Sequence, residues 1–163
     1  MKLSYRLINA FLVLASVAGM AFALYLEHFK GLQPCPLCVF QRVGLIFMGL
    51  FAFIALLHNP KSRIFRGIYA LLATLSILWS AAVAARHVWI QHLPASEVPS
   101  CGPGLNYLVD VLPMKEVLAQ VLTGSGECAK IDWTFLGQSL PVWSVLFFAV
   151  LLIMSFTQFF RKA

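Results

Sequence analysis

Residues Leu7 to Leu26 read LINAFLVLASVAGMAFALYL, and this stretch of 20 residues without a charge decides the fold class. A helix rises about 1.5 Å per residue and the hydrocarbon core of a bilayer is about 30 Å thick, so a run of this length can cross it. The apolar residues are continuous rather than alternating, which excludes the strand of a membrane barrel. The stretch therefore predicts a transmembrane helix.

Three further apolar stretches, Val43–Leu57, Gly67–Ala85 and Val142–Phe160, have the same character, and the first can extend back to Cys35. In lipid every backbone polar group needs an internal partner, which favours helices. We predict an all-α membrane protein, a bundle of four transmembrane helices forming one domain over residues 1–163. The predicted spans are about 7–26, 38–57, 67–85 and 142–160.

The composition supports a membrane protein, because 61% of the 163 residues are hydrophobic and only 11% are charged. A soluble domain carries roughly a quarter charged residues, and a disordered chain needs low hydrophobicity. The net charge of +6 could suggest nucleic acid in a soluble protein. Here its distribution along the chain has to be considered first.

The basic residues indicate the orientation in the membrane. With four spans, the side holding both termini and the 59–66 turn carries seven basic residues and no acidic ones: Lys2, Arg6, Lys61, Arg63, Arg66, Arg161 and Lys162. The other side has five basic and six acidic residues. Basic loops stay in the cytoplasm, so both termini are predicted to be cytoplasmic, and the charge requires no nucleic acid. Ala21-Phe22-Ala23 imitates a signal-peptide cleavage site, but the apolar run exceeds the usual length of about 7–15 residues, so we expect the first helix to be retained.

Two outer connections remain, a short one at 27–37 and a long one at 86–141. Several Pro and Gly residues predict that the long connection is mostly loop. Within it one short amphipathic helix over 114–122 is predicted, ending near Gly124, because apolar residues recur with helical spacing at Met114, Val117, Leu118, Val121 and Leu122.

All four cysteines, Cys35, Cys38, Cys101 and Cys128, fall at or beyond the outer membrane face. In a bacterial cell that compartment is oxidising and disulfides persist there. Four cysteines allow three pairings, and proximity in sequence favours Cys35 with Cys38 and Cys101 with Cys128.

Cys35-Pro36-Leu37-Cys38 is a Cys-x-x-Cys motif at the predicted start of the second helix. Pro36 suits the first turn, where its missing N–H is no loss. A helix N-terminus and a nearby cation both stabilise a thiolate, and Arg42 lies one turn beyond Cys38 on the same face. The pattern favours redox chemistry.

Simpler interpretations stay open on these residues alone. Two disulfides could merely staple the outer loop, Arg42 could snorkel to the interface, and an interfacial His87 is more often structural than catalytic. Binding of a metal by four thiolates is disfavoured because the compartment promotes disulfides, so no metal site is expected. The tryptophans fit an interfacial belt first and a ligand pocket second: Trp79, Trp89, Trp133 and Trp143.

The chain nevertheless resembles the disulfide bond formation protein B (DsbB) family of bacterial inner-membrane quinone reductases. The resemblance covers nearly the whole chain. It is carried by Cys35-Pro36-Leu37-Cys38 with Gln41-Arg42, by Gly126-Glu127-Cys128-Ala129, by Trp133-Thr134-Phe135-Leu136-Gly137 and by Pro141-Val142-Trp143. Gln41 departs from the acidic residue that the family often has before the Arg. The vitamin K epoxide reductase family is also a four-helix thiol–quinone family, but the order of cysteines and the 133–137 segment resemble DsbB better.

The resemblance implies an enzyme that oxidises a periplasmic DsbA-like thiol oxidase and passes two electrons to a membrane quinone, ubiquinone or menaquinone. Cys101 would form the mixed disulfide with the partner, Cys128 would then attack Cys35, and Cys38 would be freed beside the quinone. Arg42 and His87 would contact the quinone. The location implied is the bacterial inner membrane, in contact with lipid, with the redox cysteines on the periplasmic face. Two alternatives come from other classes of protein. One is a structural membrane protein whose disulfides only hold its loops, and the other is a carrier that binds a metal with its thiolates.

Overall fold

A computed structural model describes residues 4–94, 96–99, 105–131 and 133–160. Four of its helices are long and apolar enough to cross a membrane: α1 (Tyr5–Lys30), α2 (Pro36–His58), α3 (Arg63–Gln91) and α7 (Leu140–Thr157), the last continued by a 3-10 turn at Gln158–Phe160. The predicted all-α fold with four transmembrane helices is therefore confirmed, and the chain is a multi-pass membrane protein.

Local sequence explains where these helices begin and end. Pro36 occupies the first turn of α2 directly after Cys35, which is its N-cap. Gly31 ends α1 and Asn59 ends α2, both in the left-handed conformation, and each donates its N–H back to the helix. The α1–α2 connection is consequently short, and it holds the Cys-x-x-Cys motif at the end of the bundle.

The third helix runs further than the sequence predicted. It continues without a break to Gln91, so Arg86 and His87 belong to α3 and do not follow it as the start of the loop. No Pro or Gly interrupts residues 68–93, and the amphipathic pattern simply continues beyond the lipid-length run. His87 is thereby held on a rigid helix and is buried.

The long outer connection is also more ordered than predicted. The described part contains α4 (Leu105–Val111), α5 (Met114–Thr123), α6 (Gly126–Ala129) and a hairpin of β1 (Thr134–Phe135) and β2 (Gln138–Ser139). Of these, only α5 was predicted. The expectation of mostly loop missed α4, α6 and the hairpin, because such short segments show no periodic pattern that distinguishes them from loop.

Two apolar clusters hold the molecule together. The first lies within the bundle and consists of Ile8, Leu12, Leu45, Met48, Ala52, Ala73, Ile77, Ala84, Phe148 and Leu151. The second joins the outer ends of α2 and α3 to the long connection and consists of Leu37, Val83, Ile90, Leu108, Val117, Val121 and Cys128. The buried side of α5 therefore faces protein, while Met114 at its start stays exposed. This packing places α6 and Cys128 against the Cys-x-x-Cys motif.

Candidate redox site

The site begins with the two thiols of the Cys-x-x-Cys motif. Cys35 caps α2 and Cys38 lies in its first turn, so the helix geometry alone brings their sulfurs to 3.4 Å. Both are free thiols in this structure. A disulfide needs about 2.05 Å between sulfurs, so oxidation of the two thiols would require only a small movement to form the bond.

His87 reaches the two thiols from α3. Its Nε2 lies 3.8 Å from the Cys35 sulfur and its Nδ1 lies 3.8 Å from the Cys38 sulfur. Nε2 is also 3.1 Å from the backbone carbonyl of Cys128, which can only accept a hydrogen bond. Nε2 of the neutral ring is therefore the protonated nitrogen, and the lone pair of Nδ1 faces Cys38.

Gln41 completes the surroundings of His87. It is buried, with its Nε2 3.4 Å from His87 Nδ1, and its backbone carbonyl accepts a hydrogen bond from Ser80 at 2.8 Å. The amide can donate to the ring nitrogen that lacks a proton. Gln41 thus supports the same tautomer that the Cys128 carbonyl selects.

Arg42 faces the same region one turn further along α2. Its guanidinium donates to the Glu27 carboxylate at 2.5 Å and to the Ala23 carbonyl at 3.5 Å, both on α1. The pair is partly exposed, with 19% of the Arg42 side chain and 27% of the Glu27 side chain accessible. The snorkelling interpretation of Arg42 is therefore incomplete. It does not include the Glu27 carboxylate on the neighbouring helix, which holds the guanidinium in place.

Cys128 approaches from the outer loop. It lies on α6, is fully buried and packs in the same apolar cluster as Leu37, with Cys35 against that cluster. The neighbouring Cys35 thiol and, to a smaller extent, burial raise the pKa of the Cys128 thiol. The structure therefore brings together Cys35, Cys38 and Cys128. Cys101 lies outside the described residues, so its pairing with Cys128 stays a prediction.

Cys35, Cys38, Gln41, Arg42 and His87 line a cavity of about 660 Å³ between α1, α2 and α7. Pockets for small organic ligands have volumes of about 300–1,000 Å³ and are mostly apolar with a few polar groups. The lining fits that description: Ala18, Gly19, Phe22, Ala23, Leu26, Leu32, Gln33, Pro34, Cys35, Cys38, Gln41, Arg42, Leu45, His87, Gln91, Glu127, Lys130, Ile131, Trp133, Leu140, Pro141, Trp143, Ser144, Phe147 and Phe148.

The hairpin after α6 shapes the mouth of this cavity. Leu136 and Gly137 both have positive φ, as a two-residue hairpin turn requires, and the turn folds Phe135 back. The Phe135 ring stacks on Trp133 with centroids 6.0 Å apart, and the Phe135 carbonyl accepts a hydrogen bond from Trp143 Nε1 at 3.0 Å. Two of the four tryptophans therefore line a pocket.

Residues 5–158 match the family described as Disulfide bond formation protein DsbB. The chain belongs to the DsbB family. It is 67% identical to Disulfide bond formation protein B of Acinetobacter baumannii over 99% of this chain and 94% of that protein. It is 65% identical to the protein of the same name from Acinetobacter baylyi, over 99% and 95% of the two chains. A third relative of that name, from Psychrobacter cryohalolentis, is 54% identical over 92% and 86%.

Membership of the DsbB family makes the protein a disulfide-forming oxidoreductase of the membrane. Two residues of the site were not predicted from the sequence. Glu27 was not identified as the partner of Arg42, and no role in the site was predicted for Gln41. Glu27 is an acidic residue at the outer end of a spanning helix, which is a signal for a partner. The partner itself could not be read from spacing, because it lies on another helix.

Proposed function

We propose that the protein oxidises a periplasmic DsbA-like thiol oxidase by thiol–disulfide exchange and delivers the two electrons to a membrane quinone, either ubiquinone or menaquinone. The observation that carries the proposal is the convergence of Cys35, Cys38, Arg42 and His87 on one apolar cavity, with Cys128 docked beside Cys35. The inner membrane, with the cysteines on its periplasmic face, is the location that fits this chemistry.

The first half of the reaction takes place in the outer loop. A thiolate of the partner attacks Cys101 of a Cys101–Cys128 disulfide, which forms a mixed disulfide and releases Cys128 as a thiolate. The second partner thiol then displaces Cys101, so the partner leaves oxidised and the loop holds two thiols. Both electrons have passed from the partner to the loop cysteines.

The second half moves these electrons to the Cys-x-x-Cys motif. Cys128 attacks Cys35 of a Cys35–Cys38 disulfide, forming the bond between Cys128 and Cys35 and releasing Cys38 as a thiolate. Cys101 then attacks Cys128, which restores the loop disulfide and leaves Cys35 as a thiolate. The packing of α6 supports this route, because Cys35 already packs against the apolar cluster that contains Cys128.

The cavity fits a quinone, since its aromatic and aliphatic walls suit a ring and a prenyl tail while Arg42 and His87 offer polar contacts. A quinone supplies a two-electron, two-proton acceptor when bound. Arg42 provides the fixed positive charge beside Cys38 that favours the thiolate. His87 Nδ1 accepts the proton of the Cys38 thiol, with which it is already in contact at 3.8 Å.

Alkylation trapping of the purified protein tests this function. After reduction, Cys35 and Cys38 should return to a disulfide when ubiquinone or menaquinone is added, and should stay reactive with maleimide without it. A stapled membrane protein would show no dependence on quinone. Reoxidation at the same rate with and without quinone would contradict the proposal.

The entry point has its own test. A partner that keeps only its attacking cysteine should accumulate a mixed disulfide with Cys101 of the oxidised protein, mapped by mass spectrometry. That partner has no second thiol to displace Cys101, and the released Cys128 moves on to Cys35. Cys101→Ser is the matched control and should trap no such complex. A partner bound to another cysteine would overturn the assigned route.

A further inference from the structure

We infer that Cys35, Cys38 and His87 form, when both cysteines are thiols, a binding site for one thiophilic divalent cation such as Zn²⁺. The bound ion inhibits the redox reaction of the two thiols and is not a resident cofactor. The proposed site therefore differs from the thiolate metal carrier considered above. Binding itself requires only the three side chains. The inhibitory consequence rests on the proposed function.

The first support is the distance between the ligand atoms. One atom from each of the three residues lies within 4.8 Å of the others, with the sulfurs 3.4 Å apart and Cys38 Sγ 3.8 Å from His87 Nδ1. Tetrahedral Zn²⁺, with bonds of about 2.3 Å to sulfur and about 2.0 Å to nitrogen, needs ligand atoms roughly 3.5–3.8 Å apart. Small side-chain rotations on rigid helices therefore suffice.

The second, independent support is the hydrogen bond on the far side of the imidazole. A histidine that binds a metal through one nitrogen usually donates its other N–H to a carbonyl or carboxylate, which fixes the ring and raises its basicity. His87 Nε2 donates to the Cys128 carbonyl at 3.1 Å, and its Nδ1 lone pair faces Cys38. The competing contact to Nδ1 is a long one, 3.4 Å from Gln41 Nε2.

The charges also balance. Two thiols release two protons to solvent and bind the cation as thiolates, so the product is neutral and nothing is oxidised or reduced. Arg42 and Glu27 form an ion pair of their own, so together they add no net charge to the cluster. A neutral cluster avoids most of the cost of placing an ion in an apolar setting, and a water molecule would complete the tetrahedral coordination.

The site exists in only one redox state. A Cys35–Cys38 disulfide has no thiolate to offer, so the oxidised protein should not bind the ion. Conversely, a bound ion engages both sulfurs and the base, and neither sulfur can then pass its electrons to the quinone. Zn²⁺ should therefore hold the enzyme in its reduced form.

Co²⁺ is the spectroscopic probe for this site, because thiolate ligands give it a charge-transfer band and tetrahedral geometry gives it intense visible bands. The protein is full length, in detergent, with Cys101→Ser and Cys128→Ser so that no loop thiol contributes. We expect one Co²⁺ per reduced chain, displaced by Zn²⁺, and no binding after oxidation of Cys35 and Cys38. His87→Gln should weaken binding about tenfold or more.

His28→Gln is the matched control, because His28 is exposed at the outer end of α1 and bonds only the Leu24 carbonyl among the described residues. Equal affinity in the His87→Gln and His28→Gln proteins would overturn the site, as would Co²⁺ binding by the oxidised protein, a measurement that needs no change at His87. Zn²⁺ should also slow quinone-driven reoxidation of the unaltered protein. Absence of any quinone-driven reoxidation would refute the proposed function and leave the Co²⁺ result to decide the metal site.

Discussion

At the scale of single residues, Arg42 shows what spacing can and cannot predict. Its position four residues after Cys38 follows from helix periodicity, and the structure keeps both on α2. Its partner Glu27 is 15 residues away in sequence and on α1, so only the packing of two helices reveals the pair. The sequence predicted Arg42 as the cation near Cys38, whereas only the tertiary structure identifies Glu27 as its counter-ion.

Arg42→Met should slow the reoxidation of Cys35 and Cys38 by quinone about 100-fold, since loss of one fixed group that stabilises developing charge typically costs about 10²–10³ in kcat. The measurement is the rate of thiol loss after quinone is added to reduced protein. Arg63→Met is the control, because Arg63 is exposed at the opposite end of the bundle. Equal rates in the two variants would refute a role for Arg42 in the reaction.

Cys128 carries a prediction about pH. Its contact with Cys35 and its burial raise the pKa of the thiol in the docked position. The docked state thus keeps its proton after the free thiol, with a pKa of about 8.5, has lost it. Docking of α6 on Cys35 is therefore at full strength below that pH and is lost as the pH rises towards the raised pKa.

Alkylation of Cys128 in the reduced protein, followed by mass spectrometry from neutral to alkaline pH, measures this effect. The rate should rise at a higher pH than for an unhindered cysteine. Cys35→Ala removes the neighbouring thiol and should move the profile of Cys128 to lower pH. An identical profile with and without the Cys35 sulfur would show that the contact does not control the thiol.

At the scale of elements, the periodic pattern of apolar residues predicts one helix of the outer connection and fails to predict the shorter ones. The apolar stripe over 114–122 predicted α5, which spans Met114–Thr123 in the structure with Gly124 as its C-cap. By contrast, α4 and α6 have 7 and 4 residues, too short for a periodic pattern to be distinguished from loop. Their helical form comes from packing of Leu108 and Cys128 into a shared apolar cluster, which no local window contains.

The close approach of α2 and α3 depends on Gly44. A Cβ atom there would collide with the Ser80 hydroxyl and the Ser76 backbone carbonyl. Gly44→Ala should therefore destabilise the bundle by about 1–3 kcal/mol, as expected for overpacking. It should also disturb Gln41, whose carbonyl accepts the hydrogen bond from Ser80.

Gly67→Ala is the matched substitution, because Gly67 lies in the helical part of α3 and a Cβ there meets nothing within 4 Å. Its stability should be unchanged or higher by up to about 1 kcal/mol, the gain in helix propensity. Unfolding in detergent micelles compares the two variants. A Gly44→Ala protein as stable as Gly67→Ala would mean that the two helices are further apart than described.

At the scale of the whole molecule, four long helices followed from hydropathy alone, but the cavity did not. Run lengths of about 20 residues determine that the chain spans the bilayer. The cavity arises where α1, α2 and α7 meet the hairpin, through residues as distant in sequence as Phe22 and Trp143. Such convergence depends on tertiary packing, and that is why the sequence assigned Trp133 and Trp143 to an interfacial belt first and to a ligand pocket only second.

The orientation of the bundle is a prediction of charge alone, and it decides whether the thiols meet an oxidising compartment. Seven basic residues without an acid mark the side with both termini, so that side should be cytoplasmic. Lys61→Cys and Glu97→Cys, each introduced into a protein with its four cysteines changed to serine, place a thiol at exposed positions near opposite ends of α3. A membrane-impermeant maleimide should label position 97 in intact cells and position 61 only after the inner membrane is opened. Labelling of position 61 in intact cells would show that the topology is the opposite of the predicted one. The Cys-x-x-Cys motif would then face the reducing cytoplasm, where a disulfide-generating site could not remain oxidised.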